Sequence, residues 1–365
     1  MSDQEKMEAL LRRYINATEE GEIQGSKEWK EKRKARDSKE NTEFIVGGSE
    51  IASLMGVNHF KNKFSFIMEK INGSSFIGNI ATMWGNLFED VFANYVGVVY
   101  QTNVIPVRTI NGIPHHKYSP DGLGVILMDC LVKYCDISVE VELPKICLFE
   151  FKCPLTRFPS GSPPVYYMPQ IKAGLYTIKP AQIGLFGEGV FRKCSLNDYD
   201  DDIVYDETFH KQPTKKERAC LKLYDKGIIG LYSKKVRSKI IDLGDASFGT
   251  LFGFLKSFDN HNLTAYIAPG NTGEEKLQAI NIFARENNVH FSAILPWKLL
   301  HVNMTWITKE NDYLDEWIKP LADLAQLVNA AKKSDHPEEM VQEWLQSGEI
   351  IDTDQEYEDF LAYVS

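Results

Sequence analysis

Residues 146–154 read ICLFEFKCP, an apolar run that carries one acid and one lysine two positions apart. With Lys145 in front, the segment alternates as a β-strand does, because successive side chains leave opposite faces of a sheet. Ile146, Leu148, Glu150 and Lys152 fall on one face, and Cys147, Phe149, Phe151 and Cys153 on the other. Both charges therefore leave the sheet on the same side, with Phe149 and Phe151 packed behind them. Two readings are open for such a pair: a same-face ion pair on a solvated strand, or part of a site that handles a cation and an anion together.

The segments on either side supply the context. Residues 117–128, KYSPDGLGVILM, read as a strand in which Pro120 and Gly122 interrupt regular pairing at Asp121, and residues 103–110 as another, joined to it through an Asn111-Gly112 turn signal. Residues 79–97 carry apolar side chains at three- and four-residue steps from Ile80 to Val96, which predicts an amphipathic helix with Glu89 at the edge of its buried stripe. At GGSEIASLMG (47–56), Ser49 is expected to cap a helix, with Glu50 near its positive end. Further on, 165–178 reads as a helix entered near Pro169, 181–191 as one or two strands, and 290–308 as one or two strands. Residues 312–333 read as an amphipathic helix interrupted by Pro320, and 337–346 as a short helix. Residues 197–290 hold an acidic patch, basic runs, a helix within 215–226 and short apolar segments around 248–258 and 263–270.

At 365 residues and 43% hydrophobic composition the chain can bury a sizeable core as one elaborated domain. Its expected organisation is a charged helical segment over 1–40, a core over 41–195, an insertion or subdomain over 196–290, a closing strand and helix over 291–333 and an acidic tail over 334–365. The formal charge of −10 is unevenly spread: residues 334–365 hold ten acids and no Lys or Arg, so the preceding 333 residues are neutral. That tail reads as a solubilising end, with docking of a basic partner or imitation of DNA as alternatives. Basic residues cluster at 27–36, 215–218 and 234–239, where they can meet phosphates or simply face water. Six cysteines without a C-x-x-C pair read as reduced thiols, and four clustered thiolates for an iron–sulfur centre are not visible. PGNTGEEK lacks the G-K-[ST] ending of a phosphate-binding loop, which leaves nucleotide hydrolysis unsupported. No run approaches the roughly 18 apolar residues that span a bilayer, and the first residues lack the apolar core of a signal peptide, so no membrane partner and a soluble, intracellular protein are expected.

The chemistry follows from the acids. Hard divalent cations need several oxygen ligands and usually keep some waters. Asp121 and Glu150 on neighbouring strands can supply two carboxylates and the Phe151 carbonyl a third oxygen, with Lys152 beside them to orient a water or stabilise charge on a phosphate.

The string SPDGL (119–123), then FEFKCP (149–154), resembles the PD-(D/E)XK nuclease signature, and more closely the lambda exonuclease or YqaJ-like viral recombinase family. EWKEKR (28–33), GGSEIASLMG, MWGNLFED (83–90) and MPQIKAGLYTI (168–178) are similar to further family landmarks, in the same order, and 299–324 is similar to the closing strand and helix. The resemblance implies an α+β (α/β) fold with a restriction-endonuclease-like core, a mixed β-sheet flanked by helices, carrying a C-terminal insertion and the acidic tail. It implies catalytic roles for Glu89, Asp121, Glu150 and Lys152. Magnesium, or manganese in its place, would be held by Asp121, Glu150, the Phe151 carbonyl and Glu89. A pocket for the 5′-phosphate would use Ser49, Ser119, Gln170 and an arginine, Arg33 or else Arg36 or Lys34. The activity implied is 5′-to-3′ digestion of double-stranded DNA from its ends, leaving 3′ single-stranded tails for recombination, repair or replication. A single-strand annealing protein and a homo-oligomer are the partners it suggests, and the source it suggests is a large DNA virus, acting in host cytoplasm or nucleus where viral DNA replicates. A structure-specific endonuclease on branched or flapped DNA, or a DNA-binding or host-interaction scaffold without nuclease activity, are the alternatives.

Overall fold

In the computed structural model, which describes residues 2–18, 21–36, 44–74, 78–127, 145–201, 211–235, 239–309 and 313–347, the alternating segment is a strand buried on both faces. Among the described residues the strands in chain order are β1 (Val46–Gly47), β2 (Ile110–Ile113), β3 (His116–Tyr118), β4 (Gly122–Ile126), β5 (Lys145–Lys152), β6 (Ile183–Lys193), β7 (Asp225–Ser233), β8 (Ile241–Asp242), β9 (Thr264–Ile267) and β10 (His290–Thr308). The helices are α1 (Asp3–Ala17), α2 (Lys27–Arg36), α3 (Ile51–Leu54), α4 (Lys63–Asn72), α5 (Ile80–Val99), α6 (Met168–Thr177), α7 (Lys215–Ala219), α8 (Phe248–Asp259), α9 (Gly273–Asn287), α10 (Tyr313–Ala331) and α11 (Pro337–Ser347).

The main sheet runs β4-β5-β6-β10-β7-β9, with β8 also pairing β10. Strand β5 is antiparallel to β4 and parallel to β6, and the other neighbours on the path are antiparallel. This is the expected mixed sheet flanked by helices. Strands β1, β3 and β2 form a small second sheet.

The two faces of β5 feed two separate cores. Cys147, Phe149 and Phe151 pack with the buried stripe of α5 and with Leu251 and Leu255 of α8. Phe92 meets Phe151 edge-on with ring centroids 5.4 Å apart. Ile146 and Leu148 pack on the opposite side with Leu11 of α1, Ile171 and Leu175 of α6, and Tyr118. Beyond α6, a third core joins α10, α4, α3 and α11. Each fully buried Leu, Ile or Phe contributes roughly 1.5–3 kcal/mol relative to exposure, so α5 and α6 are held firmly against the strand that carries Glu150.

Several local expectations change. The helix expected at 79–97 runs from Ile80 to Val99, capped by Asn79, whose side chain accepts from Thr82 N at 3.0 Å. Asn111-Gly112 is not the turn of a hairpin: both residues lie within β2, and the reversal comes at 114–115, where His115 takes a left-handed φ of 57°. Gly112 serves instead as a close approach, since a Cβ there would meet Thr177 Cγ2 and O at 2.8 Å. Residues 103–109 contribute isolated bridges rather than a full strand. Each of 181–191 and 290–308 gives one strand, β10 being long because its first half pairs β7 and its second half β6. The helix expected within 215–226 stops at Ala219, and Asp225 opens β7. Helix α10 continues through Pro320, its neighbours Trp317, Ile318, Leu321 and Leu324 all buried. The segment set apart at 196–290 supplies β7 and β9 to the same sheet. Within the acidic tail, α11 forms as expected and Val341 is buried, while 348–365 lie outside the described residues. No helix among the described residues is long and apolar enough to cross a membrane.

Gly174 of α6 shows how tightly this packing is set. A Cβ there would meet Tyr118 Cζ at 2.4 Å and Leu148 Cδ2 at 2.8 Å, contacts that real side chains do not make. Gly174→Ala is therefore expected to destabilise the protein by roughly 1–3 kcal/mol in urea unfolding, as overpacking does. A loss below about 0.5 kcal/mol would contradict this packing.

Candidate active site

Strand β4 begins one residue after Asp121, and its pairing with β5 ends at Gly122 opposite Phe149. The next free N–H along β5 on that edge is satisfied by a side chain instead: Phe151 N donates to Asp121 Oδ2 at 2.6 Å. A buried backbone donor must find a partner, so the break in pairing at Pro120-Asp121 obliges the aspartate to lie beside Glu150. Gln24 holds the other oxygen, its Nε2 donating to Asp121 Oδ1 at 2.7 Å.

Glu150 is fully enclosed, its side chain 2% exposed. Tyr118 Oη donates to its Oε2 at 3.0 Å, Lys152 Nζ to its Oε1 at 2.5 Å, and the Gln170 amide also reaches Oε1. Lys152 Nζ donates in addition to the Phe151 carbonyl at 3.0 Å and lies 5.4 Å from the Tyr167 ring centre. An ion pair does exist on this strand face, between the buried Glu150 and the half-buried Lys152, rather than on a solvated strand.

These groups open into one cleft of about 590 Å³, lined also by Glu89, Ser49, Ser119 and Arg33. Glu89 reaches it from α5 and is half-buried. Ser119 Oγ accepts from Trp29 Nε1 at 3.1 Å and pairs with Thr109 Oγ1 at 2.8 Å. Arg33 lies over the Trp29 ring at 5.0 Å. Arg36 closes the same helix, and its side chain lies outside the described residues. Ser49 is exposed at the cleft but is not a helix cap. It sits inside a 3₁₀ turn, Gly48–Glu50, whose leading amide, Gly47 N, donates to Glu50 Oε2 at 2.8 Å. The α-helical turn that follows is four residues long, too short to build the dipole expected of a helix starting near Ser49.

Tyr118 and Gln24 are the residues that the sequence did not mark, whereas Trp29 belongs to the EWKEKR landmark, though with no role assigned to it. Tyr118 directly precedes the SPDGL string, and that adjacency was the available signal; Gln24 arrives from an N-terminal segment with no pattern to tie it to Asp121.

Three acids and one ammonium compete here for little solvent. Burial, then the charge of Asp121, pushes the Glu89 carboxyl up to about 8. The same two causes raise Glu150 to about 7, although Lys152 and Tyr118 work against them. Burial alone would push the Lys152 ammonium down, but the charges of Glu150, Asp121 and Glu89 outweigh it and hold it above the usual lysine range. Burial, with Glu150 and Asp121 adding to it, also raises the Tyr118 phenol, so it stays a donor.

A divalent cation suits this donor set. No group of three or more His, Cys, Asp and Glu side chains among the described residues forms a ready-made metal cage. Magnesium does not require one, since it is commonly held by one or two carboxylates and retains waters. Asp121, Glu150 and the Phe151 carbonyl offer that combination, and the last two already share a cationic group, Lys152 Nζ. Each Asp121 oxygen accepts one hydrogen bond and keeps a further lone pair.

The upward shifts at Glu89 and Glu150 have a thermodynamic consequence. With an ordinary value of 4.5, the folded protein binds these protons more tightly than the unfolded chain, so stability falls as pH rises from about 4.5 through about 8. Metal-free protein is expected to melt at a lower temperature at pH 8 than at pH 5, with magnesium reversing part of the loss and Glu89→Gln flattening the slope. An identical slope in wild type and Glu89→Gln would contradict the crowding of charge at this site.

Residues 28–178 match the family model described as the YqaJ-like viral recombinase domain. Proteins of African swine fever virus, sharing one name across isolates, are 35% identical to the chain over 165 residues, which is 42% of this chain and 48% of each relative. The chain thus spans about half the length of the relatives it matches. Their viral source agrees with the large DNA virus that the sequence suggested. Among solved structures, an alkaline exonuclease from Laribacter hongkongensis shares 22% identity, with 42% of this chain and 70% of that chain covered at a TM-score of 0.30. Its complex with dAMP shares 15%, with 68% and 95% covered and a TM-score of 0.30. Overlaps of that quality carry no weight, and the likeness rests on the sequence matches: residues 28–178 of this chain are similar to the YqaJ-like viral recombinase domain.

Proposed function

We propose that the protein is a metal-dependent deoxyribonuclease that digests double-stranded DNA from its ends in the 5′-to-3′ direction, leaving 3′ single-stranded tails for recombination, repair or replication. The observation that carries this reading is the convergence of Asp121, Glu150, Lys152 and Glu89 on one cleft whose lining also includes Arg33, Ser49 and Ser119.

A phosphodiester is anionic and repels hydroxide, so a site that cleaves it must concentrate positive charge and aim a water at phosphorus. When bound at Asp121, Glu150 and the Phe151 carbonyl, magnesium or manganese would supply Lewis acidity toward the phosphate. Glu150 holds Lys152 beside that position, and Lys152 orients the attacking water and offsets the charge that develops on the phosphate. Gln170 and Tyr118 fix the Glu150 carboxylate, so its geometry is set before substrate arrives. Glu89 completes the acidic wall. In the same cleft, Arg33, Ser49 and Ser119 gather the 5′-phosphate of the strand being digested, which favours chain ends over interior positions. The neutral body of the chain leaves this contact local, and α2, whose sequence is KEWKEKRKAR, supplies the nearest basic run. A protein that anneals the single strands produced is the partner this activity calls for.

End-labelled linear duplex and a covalently closed circle separate the readings. Magnesium-dependent release of nucleotides from 5′-phosphorylated linear DNA is expected, with the circle resistant. Asp121→Asn and Lys152→Met are expected to lose roughly 10²-fold or more in rate while melting cooperatively. A circle cut as readily as the linear duplex would favour the endonuclease on branched DNA, and release that survives both substitutions would remove the site assignment.

A further inference from the structure

Helix α2 is almost wholly exposed, yet it carries Arg33 to the cleft. Along residues 27–35 the two half-buried side chains are Trp29 and Lys30, which reach Ser119 and Asp259, while the exposed Lys32 pairs with Glu22 of the segment just before the helix. Trp29 Nε1 donates to Ser119 Oγ. Lys30 Nζ donates to Asp259 Oδ1 at 2.8 Å and to the Asp259 carbonyl at 2.5 Å.

Asp259 lies far along the chain, outside the residues that match the family model. It is the last residue of α8, where a negative charge is opposed by the helix dipole. Its side chain is 18% exposed and is offset by two donors on one oxygen, Lys30 from α2 and Asn86 Nδ2 from α5 at 2.8 Å. Asn86 lies one turn before Glu89. A single carboxylate oxygen therefore ties the helix bearing Arg33 to the helix bearing an acid of the cleft. The same turn sets Phe258 and His261 in the cleft lining, His261 with a left-handed φ of 57°.

We infer that Asp259 is a positioning residue for DNA ends: by bonding Lys30 and Asn86 together it fixes where Arg33 stands relative to the acidic centre. The inference rests on the proposed reading of the cleft as a nuclease site that gathers a 5′-phosphate. Without the carboxylate, α2 keeps its Trp29 anchor, its helical form and the Lys30 bond to the Asp259 carbonyl, but loses the shared oxygen that joins Lys30 to Asn86 of α5. A displacement of about 1 Å in a positioning group is enough to change rates severalfold or more. The effect should fall on recognition of the terminal phosphate and spare the chemistry at Asp121 and Glu150.

Steady-state kinetics on linear duplexes bearing a 5′-phosphate or a 5′-hydroxyl test this. Asp259→Ala is expected to raise KM for 5′-phosphorylated ends about tenfold, with kcat changed less than about twofold and little change on 5′-hydroxyl ends. Asp259→Asn, which keeps an acceptor oxygen, should restore most of the preference. Lys30→Met, on the exposed helix and so of small risk to folding, should reproduce the alanine pattern. Combining Arg33→Ala with Asp259→Ala should be no worse than Arg33→Ala alone, because both act through one contact. Equal losses on both kinds of end, a loss in kcat alone, or fully additive effects would overturn the inference. Wild-type protein that releases no nucleotide would overturn the nuclease reading itself, a result distinct from an active wild type that Asp259→Ala leaves unchanged.

Discussion

The backbone N–H of Phe151 has to be bonded, and the group that bonds it is the Asp121 carboxylate. Most of the site follows from that constraint. Because β4 starts only at Gly122, the aspartate rather than a strand partner closes the ladder, and its charge is brought against Glu150 at the buried end of β5. Glu150 then needs donors, which Tyr118, Lys152 and Gln170 provide from three different elements. A buried carboxylate without such partners would simply be protonated. With them it stays balanced near neutrality, so that its charge depends on which cation lies beside it.

Packing keeps that balance in place. Phe149 and Phe151 lock β5 to α5 on one side, and Leu148, with Tyr118 against Gly174, locks it to α6 on the other. The acids are therefore presented by elements that cannot drift apart without opening a core. The part of the cleft proposed to gather phosphate is built differently. Arg33 rides on a polar helix held by side-chain contacts of Trp29, Lys30 and Lys32 and by no buried apolar stripe, so the part of the cleft proposed to choose DNA ends is less firmly packed than the part proposed to cut them.

Much of the acidic side was legible in the sequence because it is written in local patterns. Period-two alternation placed Glu150 and Lys152 on one face, and the helical stripe of 79–97 placed Glu89 at its edge. The family resemblance, carried by SPDGL and FEFKCP, linked Asp121 to them across an intervening stretch. Other features depend on partners distant in the chain. Ser49 looked like a cap because cap residues are recognised by type, whereas here the Glu50 side chain satisfies the leading amide. Asn111-Gly112 looked like a turn, but Thr177 packing against Gly112 keeps both residues in a strand. The contributions of Gln24 and Asp259 were not legible at all, since nothing near them in sequence reports which buried oxygen or ammonium they will meet, and Tyr118 was signalled only by standing next to SPDGL. The same holds for β7 and β9, since β7 pairs with β10, dozens of residues later in the chain, and β9 pairs back onto β7.

The central claim is that Asp121, Glu150 and the Phe151 carbonyl hold a divalent cation next to Lys152. Crystals soaked in manganese and measured at its absorption edge test it most directly. The account predicts one strong anomalous peak within bonding distance of these three groups, with Lys152 Nζ moved off the Phe151 carbonyl. A peak bound elsewhere, or no peak at this cluster at saturating manganese, would contradict it.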